Sequence, residues 1–232
     1  MIVYGRNPVR EALHGRRRVQ RVFATKKAAQ EVWLGGVETV LAEPWELEER
    51  CGSPDHQGIC AEVGPYPYAD ADSLLEPEDA LVIALDEVKD PHNLGAVIRV
   101  AEAAGCTGVV LPERRSAEVT AAVCRASAGA VEHLPVAVVP NLARFVADVK
   151  GPELWAYAAV AEAPAPLWDT DFEGGVLFVL GAEGTGIRPL VRRQCDIEIA
   201  IPLAGKVESL NVSVAAGLVL FEVARRRVSA RV

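Results

Sequence analysis

Two hydrophobic patterns divide this chain. From residue 81 onward, short apolar runs recur: LVIALDEV (81–88), GVVLP (108–112), LPVAVV (134–139), LWAYAAV (154–160), VLFVLG (176–181) and DIEIAIP (196–202). Several of them lack period-two alternation, as expected of strands in a parallel sheet covered on both faces. The stretches between them, at 92–104, 117–128, 141–149, 188–193 and 211–227, read as helices. In the first of these, Leu94, Val97, Ile98, Ala101 and Ala104 fall on one helical stripe. Six strands alternating with helices predict a doubly wound α/β domain over 81–232.

Residues 1–63 carry a smaller pattern. A helix at 8–13 precedes a strand at 19–25, and a strand at 37–42 precedes a helix opening at Pro44, a residue suited to a first turn. A short strand in HQGICAEV closes this small α/β unit. The segment GPYPYADADSLLEPEDA (64–80) is rich in proline and acid, lacks basic residues, and reads as a linker.

Composition narrows the function classes. Half of the 232 residues are hydrophobic, enough for a sizeable core. No apolar run approaches the roughly 18 residues of a membrane span. The opening MIVYGRNPVREAL lacks the apolar core of a signal peptide, which predicts a cytoplasmic protein. Five cysteines and four histidines are scattered without a C-x-x-C pair, so neither a disulfide framework nor a metal site is expected. The net charge of −8 argues against a polyanionic partner. Its distribution argues the other way. Residues 1–30 hold eight cationic side chains, among them Arg6, Arg16, Arg17, Arg18 and Arg21, against Glu11 alone. Such asymmetry marks either a patch that meets a polyanion or a solvated basic face.

Ligands of doubly wound sheets bind at the carboxyl ends of the strands, which directs attention to three loops. In DEVKDPHNLGAVIRVAEAAG, Asn93 is placed to cap a helix and Gly105 to close it. Arg99 lies early in that helix, where the dipole disfavours a cation; it either pairs with Glu102 or is kept for an anion. VLFVLGAEGTGIRP places three glycines after a buried strand, with Glu183 the ionisable side chain inside the loop. Its G-x-x-G-x-G spacing is not that of a dinucleotide site, and no P-loop lysine follows. In IPLAGKVESLNVSVAAG, Ser209 or Asn211 would cap the last helix, yet one cap does not account for Ser209, Asn211 and Ser213 together.

In this order, NLGAVIR, LGAEGTGI and IPLAGKVESLNVSVAAG resemble the three motifs of the SpoU/TrmH family of RNA ribose 2′-O-methyltransferases, within the SPOUT superfamily. RASAGAVEHLPVAVVPNL resembles the family's middle segment, and YGRNPVREAL and HQGI resemble the substrate-binding domain that precedes the catalytic domain in many members. Leu203 stands where many members have methionine, a volume-conserving difference.

The resemblance implies a catalytic α/β domain closed by a C-terminal trefoil knot, a topology that general rules disfavour. It implies S-adenosylmethionine (AdoMet) as cofactor, with Leu180, Gly181, Gly186, Ile201, Leu203, Ser209 and Leu210 around it. It implies a catalytic group of Asn93, Arg99, Glu183, Ser209 and Asn211, with Glu183 fixing Arg99 or the loop. It further implies a homodimer packed through the apolar C-terminal helix, no metal, and an RNA substrate. That substrate would be a guanosine of 23S rRNA, a tRNA, or a ribosomal site conferring antibiotic resistance. RNA phosphates would meet Arg6, Arg16, Arg17, Arg18, Arg21, Arg114 and Arg115, helped by Arg125 and Arg188. A non-catalytic RNA-binding factor on the same fold and a generic nucleotide enzyme are the rival readings.

Overall fold

The computed structural model describes residues 1–230. Its N-terminal part contains β1 (Ile2–Tyr4), α1 (Arg6–His14), β2 (Val19–Ala24), β3 (Thr39–Leu41), α2 (Pro44–Cys51) and β4 (Ile59–Val63), with a sheet order of β1-β4-β2-β3. Strand β1 is additional to the sequence expectation. Only three residues long, it becomes a strand by pairing antiparallel with β4, a partner sixty residues away.

The larger part runs β5 (Leu81–Asp86), α3 (Pro91–Ala103), β6 (Gly108–Pro112), α4 (Ala121–Ala126), β7 (Val136–Val139), α5 (Leu142–Val149), β8 (Leu154–Ala159), β9 (Ala165–Pro166), β10 (Gly175–Gly181), α6 (Pro189–Arg192), β11 (Ile197–Ala200) and α7 (Val212–Ala230). The sheet has seven strands, one more than expected, because the two-residue β9 adds to β11 as an edge. All its pairings are parallel.

The strand order β7-β6-β5-β10-β8-β11-β9 explains where a ligand can sit. The chain steps outward from β5 to β7, crosses to β8, and then returns β10 to the slot between β5 and β8. Strand β5 is buried along its whole length, and β10 up to Leu180, which is why their sequences do not alternate. Their register pairs Leu85 with Leu180 and Asp86 with Gly181, so the two strands end level. The loops that follow β5, β10 and β11 therefore share one edge of the sheet.

Residues 64–80 do not form a free linker. Tyr66 donates its hydroxyl to the Val131 and Leu134 carbonyls, the Tyr68 hydroxyl accepts from the Val119 amide at 3.0 Å, and Ala69 bridges to Ala137 beside β7. Buried Leu74 packs against Gly108 at the start of β6. Proline and acid content gives the segment the composition of a linker, but its tyrosines and leucine tie it down.

The cluster Arg225–Arg227 at the end of α7 is structural. Arg225 and Arg226 both pair with the buried Glu222, and Arg227 donates to the carbonyls of Asp79, Ala80 and Gly174, where β5 and β10 begin. The Arg225 and Arg226 guanidiniums hold the Glu222 carboxyl down at about 2.

Candidate active site

At the shared edge, three polar side chains meet, one from the first turn of α3, one from the glycine loop after β10 and one from the start of α7. The Nδ2 of Asn211 donates to Glu183 Oε1 at 2.5 Å and to Asn93 Oδ1 at 3.0 Å, and Asn93 Nδ2 donates to the same Glu183 oxygen at 3.3 Å. Asn211 is also the cap of α7: its Oδ1 accepts from the Ser213 amide at 2.9 Å and the Ser213 hydroxyl at 2.6 Å. Its amide orientation is thus fixed from both ends. The second Glu183 oxygen has no hydrogen-bond partner among the described residues, and Glu183 is exposed.

Two expectations are corrected here. Asn93 does not cap α3. Asp90 does, accepting from the His92 amide at 2.9 Å, because Pro91 takes the first helical position and starts the helix earlier. This frees the Asn93 side chain to reach Glu183. Of the two roles expected of Glu183, fixing Arg99 or the loop, a contact with Arg99 is absent among the described residues. Arg99 is exposed and makes neither an ion pair with Glu102 nor a hydrogen bond among the described residues. One turn earlier, Gly95 packs so tightly on α4 that a Cβ there would lie 2.5 Å from that of Ala126.

Beside the cluster lies a cleft of about 510 Å³ between the loops after β8, β10 and β11, within the range of small-molecule sites. Leu180, Gly181, Gly186, Ile201, Leu203, Ser209 and Leu210 all line it. The glycine loop is closed on itself: a Cβ on Gly181 would fall 2.0 Å from the Gly186 carbonyl carbon, and Gly186 sits at φ 65°. The ionisable lining is Glu162, Glu183, Glu208 and Arg192, and Arg192 is already held by both oxygens of Glu198. Apolar walls, a glycine backbone and an excess of carboxylates suit a flat, uncharged ring system carrying a cationic group. They do not suit a polyphosphate.

The base of the loop is set by a buried acid that the sequence did not single out, and by Arg188, expected to help meet RNA phosphates but bound here to that acid. Asp86, fully buried at the end of β5, accepts the Arg188 amide at 2.8 Å and its guanidinium at 2.9 and 2.6 Å. An acid closing the buried run LVIALD was the available signal, since a buried carboxylate needs a partner. Among the described residues, no group of three His, Cys, Asp or Glu side chains could hold a metal. The five cysteines are free thiols, and burial pushes those of Cys106 and Cys195 up to about 12. No described helix is long and apolar enough to cross a membrane.

The expected RNA-contacting arginines separate into groups. Arg18, Arg21 and Arg114 are exposed without ion pairs among the described residues, and exposed Arg16 reaches only the His133 carbonyl. Arg6 pairs with Glu31 at 3.0 Å and Arg115 with Glu87 at 3.1 Å. Arg17 is withdrawn from the set. Its side chain is 1% exposed, and its fork is bound by both oxygens of the fully buried Glu132. Within ArgArgArg (16–18), the middle residue turns inward.

Comparison with known proteins gives this geometry its context. Residues 80–221 match the SpoU rRNA Methylase family, and residues 2–69 match a model described as RNA 2′-O ribose methyltransferase substrate binding. An uncharacterized tRNA/rRNA methyltransferase from Synechocystis is 38% identical over 97% of this chain, which spans 62% of that protein's length. The 23S rRNA (guanosine-2′-O-)-methyltransferase RlmB of Xanthomonas campestris is 46% identical over 84% of this chain and 80% of its own. The SpoU methyltransferase AviRb from Streptomyces viridochromogenes, solved with AdoMet, superposes with a TM-score of 0.82 at 27% identity, covering 99% of this chain and 91% of its own. Taken with the three motif loops gathered at one sheet edge, these matches establish that the chain belongs to the SpoU family of RNA methyltransferases.

Proposed function

We propose that this protein transfers a methyl group from AdoMet to a ribose 2′-hydroxyl of 23S rRNA, at a guanosine, in the cytoplasm. The observation that carries the reading is the adjacency of the glycine-lined cleft and the Asn93–Glu183–Asn211 cluster, in a chain whose residues 2–69 and 80–221 match the two family models. The guanosine target rests on the RlmB relative.

The cofactor's adenosine would lie against Leu180, Ile201, Leu203 and Leu210, with Gly181 and Gly186 allowing close backbone approach. The carboxylates of the rim would attract its positive charge. Bound there, AdoMet supplies an activated sulfonium methyl. What remains for the protein is to align a weak nucleophile and lower the cost of charge on its oxygen. The unpartnered oxygen of Glu183 accepts the hydrogen of the incoming 2′-hydroxyl. Asn93 and Asn211 hold that carboxylate in place, and Ser209 orients the nucleophile at the cleft wall. Arg99 has five N–H donors and no competing partner among the described residues, and it retains its proton throughout. It binds the phosphate next to the target ribose and stabilises the developing oxyanion. Phosphate contacts from Arg16, Arg18, Arg21 and Arg114 position the RNA.

Arg99 does not line the cleft of its own protomer, which favours a site completed by a second copy. Helix α7 offers the surface: Val214, Phe221 and Val228, seven residues apart, are 50%, 49% and 65% exposed on one stripe. A homodimer through α7 would bury them. Titration calorimetry with AdoMet, followed by labelled-methyl transfer to a 23S rRNA transcript, tests the reading. The expected result is one cofactor site per protomer and transfer to RNA. RNA binding without cofactor binding would leave a non-catalytic RNA-binding protein instead.

A further inference from the structure

The seam between the basic N-terminal sheet and the seven-stranded sheet is held by a cluster of buried and close contacts. Arg17 lies over the Tyr66 ring at 5.6 Å and grips Glu132, which is fully shielded, while its outer nitrogens touch Met1 Sδ and Cys124 Sγ at 3.3 Å. Around this pin, Glu11 bonds His133 at 2.9 Å. Its Cβ also meets Gly129 so closely that a Cβ there would stand 2.6 Å away. The connecting segment adds the Tyr66 and Tyr68 hydrogen bonds. The part of the larger domain that receives Arg17, residues 124–132, begins inside α4, and α4 packs against Gly95 of the helix that carries Asn93 and Arg99. A continuous run of packed contacts therefore joins the basic face to the catalytic helix.

We propose that Arg17 and Glu132 are positioning residues that hold the phosphate-binding face at a fixed distance and angle from the methyl-transfer site. The substrate is then a folded RNA element, gripped through its backbone by the N-terminal face while one ribose is presented at the cleft. A flexible single strand gains nothing from such a fixed spacing. This proposal rests on the methyltransferase reading above.

The test uses the full-length double variant Arg17→Met/Glu132→Leu, which removes both buried charges and keeps the volume. A second variant, Tyr66→Phe/Tyr68→Phe, loosens the connecting segment without touching the ion pair. Each is assayed for AdoMet binding by calorimetry and for kcat and KM on a folded 23S rRNA transcript and on an unstructured oligonucleotide carrying the target sequence. Methylated riboses are then mapped. The expected result for the double variant is unchanged AdoMet affinity, an unchanged KM for RNA, and a kcat on folded RNA at least about tenfold lower, with methylation spread to neighbouring riboses. The tyrosine variant should show a smaller loss in the same direction, and the oligonucleotide rate should be unaffected in both. Wild-type kcat and a single methylated ribose in a folded double variant would overturn the proposal. So would an equal loss on folded RNA and oligonucleotide. Absence of AdoMet binding to the wild-type protein would instead refute the methyltransferase reading itself.

Discussion

Arg17 and Arg99 carry the same side chain in opposite settings. Arg17 is sealed at the seam, its guanidinium shared among a carboxylate, two sulfur atoms and an aromatic face. Arg99 stands exposed with no partner among the described residues. Burying a guanidinium is tolerated only when a carboxylate meets it, so Arg17 is committed to holding two sheets together. The Arg99 guanidinium has no partner among the described residues, so its donors are open to an anion such as a phosphate or an oxyanion. Charge type alone does not separate a structural cation from a functional one; what distinguishes them is whether its valence is already spent.

Arg17→Met alone should cost about 3–5 kcal/mol of stability, because it strands Glu132 as an uncompensated buried charge. Chemical denaturation measures this. Adding Glu132→Leu should recover most of the loss. A single variant as stable as wild type would show that the pair is not a pin.

Next in size, Arg99→Ala should lower methyl transfer by roughly 10²–10³-fold, with melting temperature and AdoMet affinity nearly unchanged. Single-turnover transfer of labelled methyl reads this, and full activity would remove Arg99 from the site.

Reversing Arg16, Arg18 and Arg21 to glutamate, with Arg17 left in place, should weaken RNA binding and flatten its dependence on salt, since phosphate contacts release counterions. Filter binding across a salt series checks it. An unchanged slope would return these residues to a solvated basic face.

The smallest effect concerns Glu222, whose carboxyl is held near 2 in the folded protein. Its contribution to stability is complete above the ordinary carboxylate pKa and is lost as pH falls from about 4.5 toward 2. Glu222→Gln should flatten that limb of a pH-stability curve measured by thermal melting.

Much of the molecule was legible in the sequence for physical reasons. Apolar runs without alternation marked a parallel sheet covered on both faces, and its strands' carboxyl ends directed attention to the three loops. Elements defined by a distant partner escaped that reading. Strand β1 exists because β4 pairs with it, and β9 because β11 does. Residues 64–80 looked like a linker until Tyr66 and Tyr68 found acceptor and donor far away in the chain. In the site, local spacing suggested that Asn93 caps α3, whereas Pro91 and Asp90 take that role and release Asn93 to Glu183. The inward turn of Arg17 was invisible for the same reason: a run of three arginines carries no period, and its carboxylate lies 115 residues on.

The central claim is that the cleft and the Asn93–Glu183–Asn211 cluster act together on an RNA ribose. Ribose-methylation mapping of an unmodified 23S rRNA transcript, incubated with the purified protein and AdoMet, tests it most directly. The expected result is a single new 2′-O-methylguanosine that is absent when Arg99→Ala protein is used. Methylation on a base, or no ribose methylation by a protein that binds AdoMet, would contradict it.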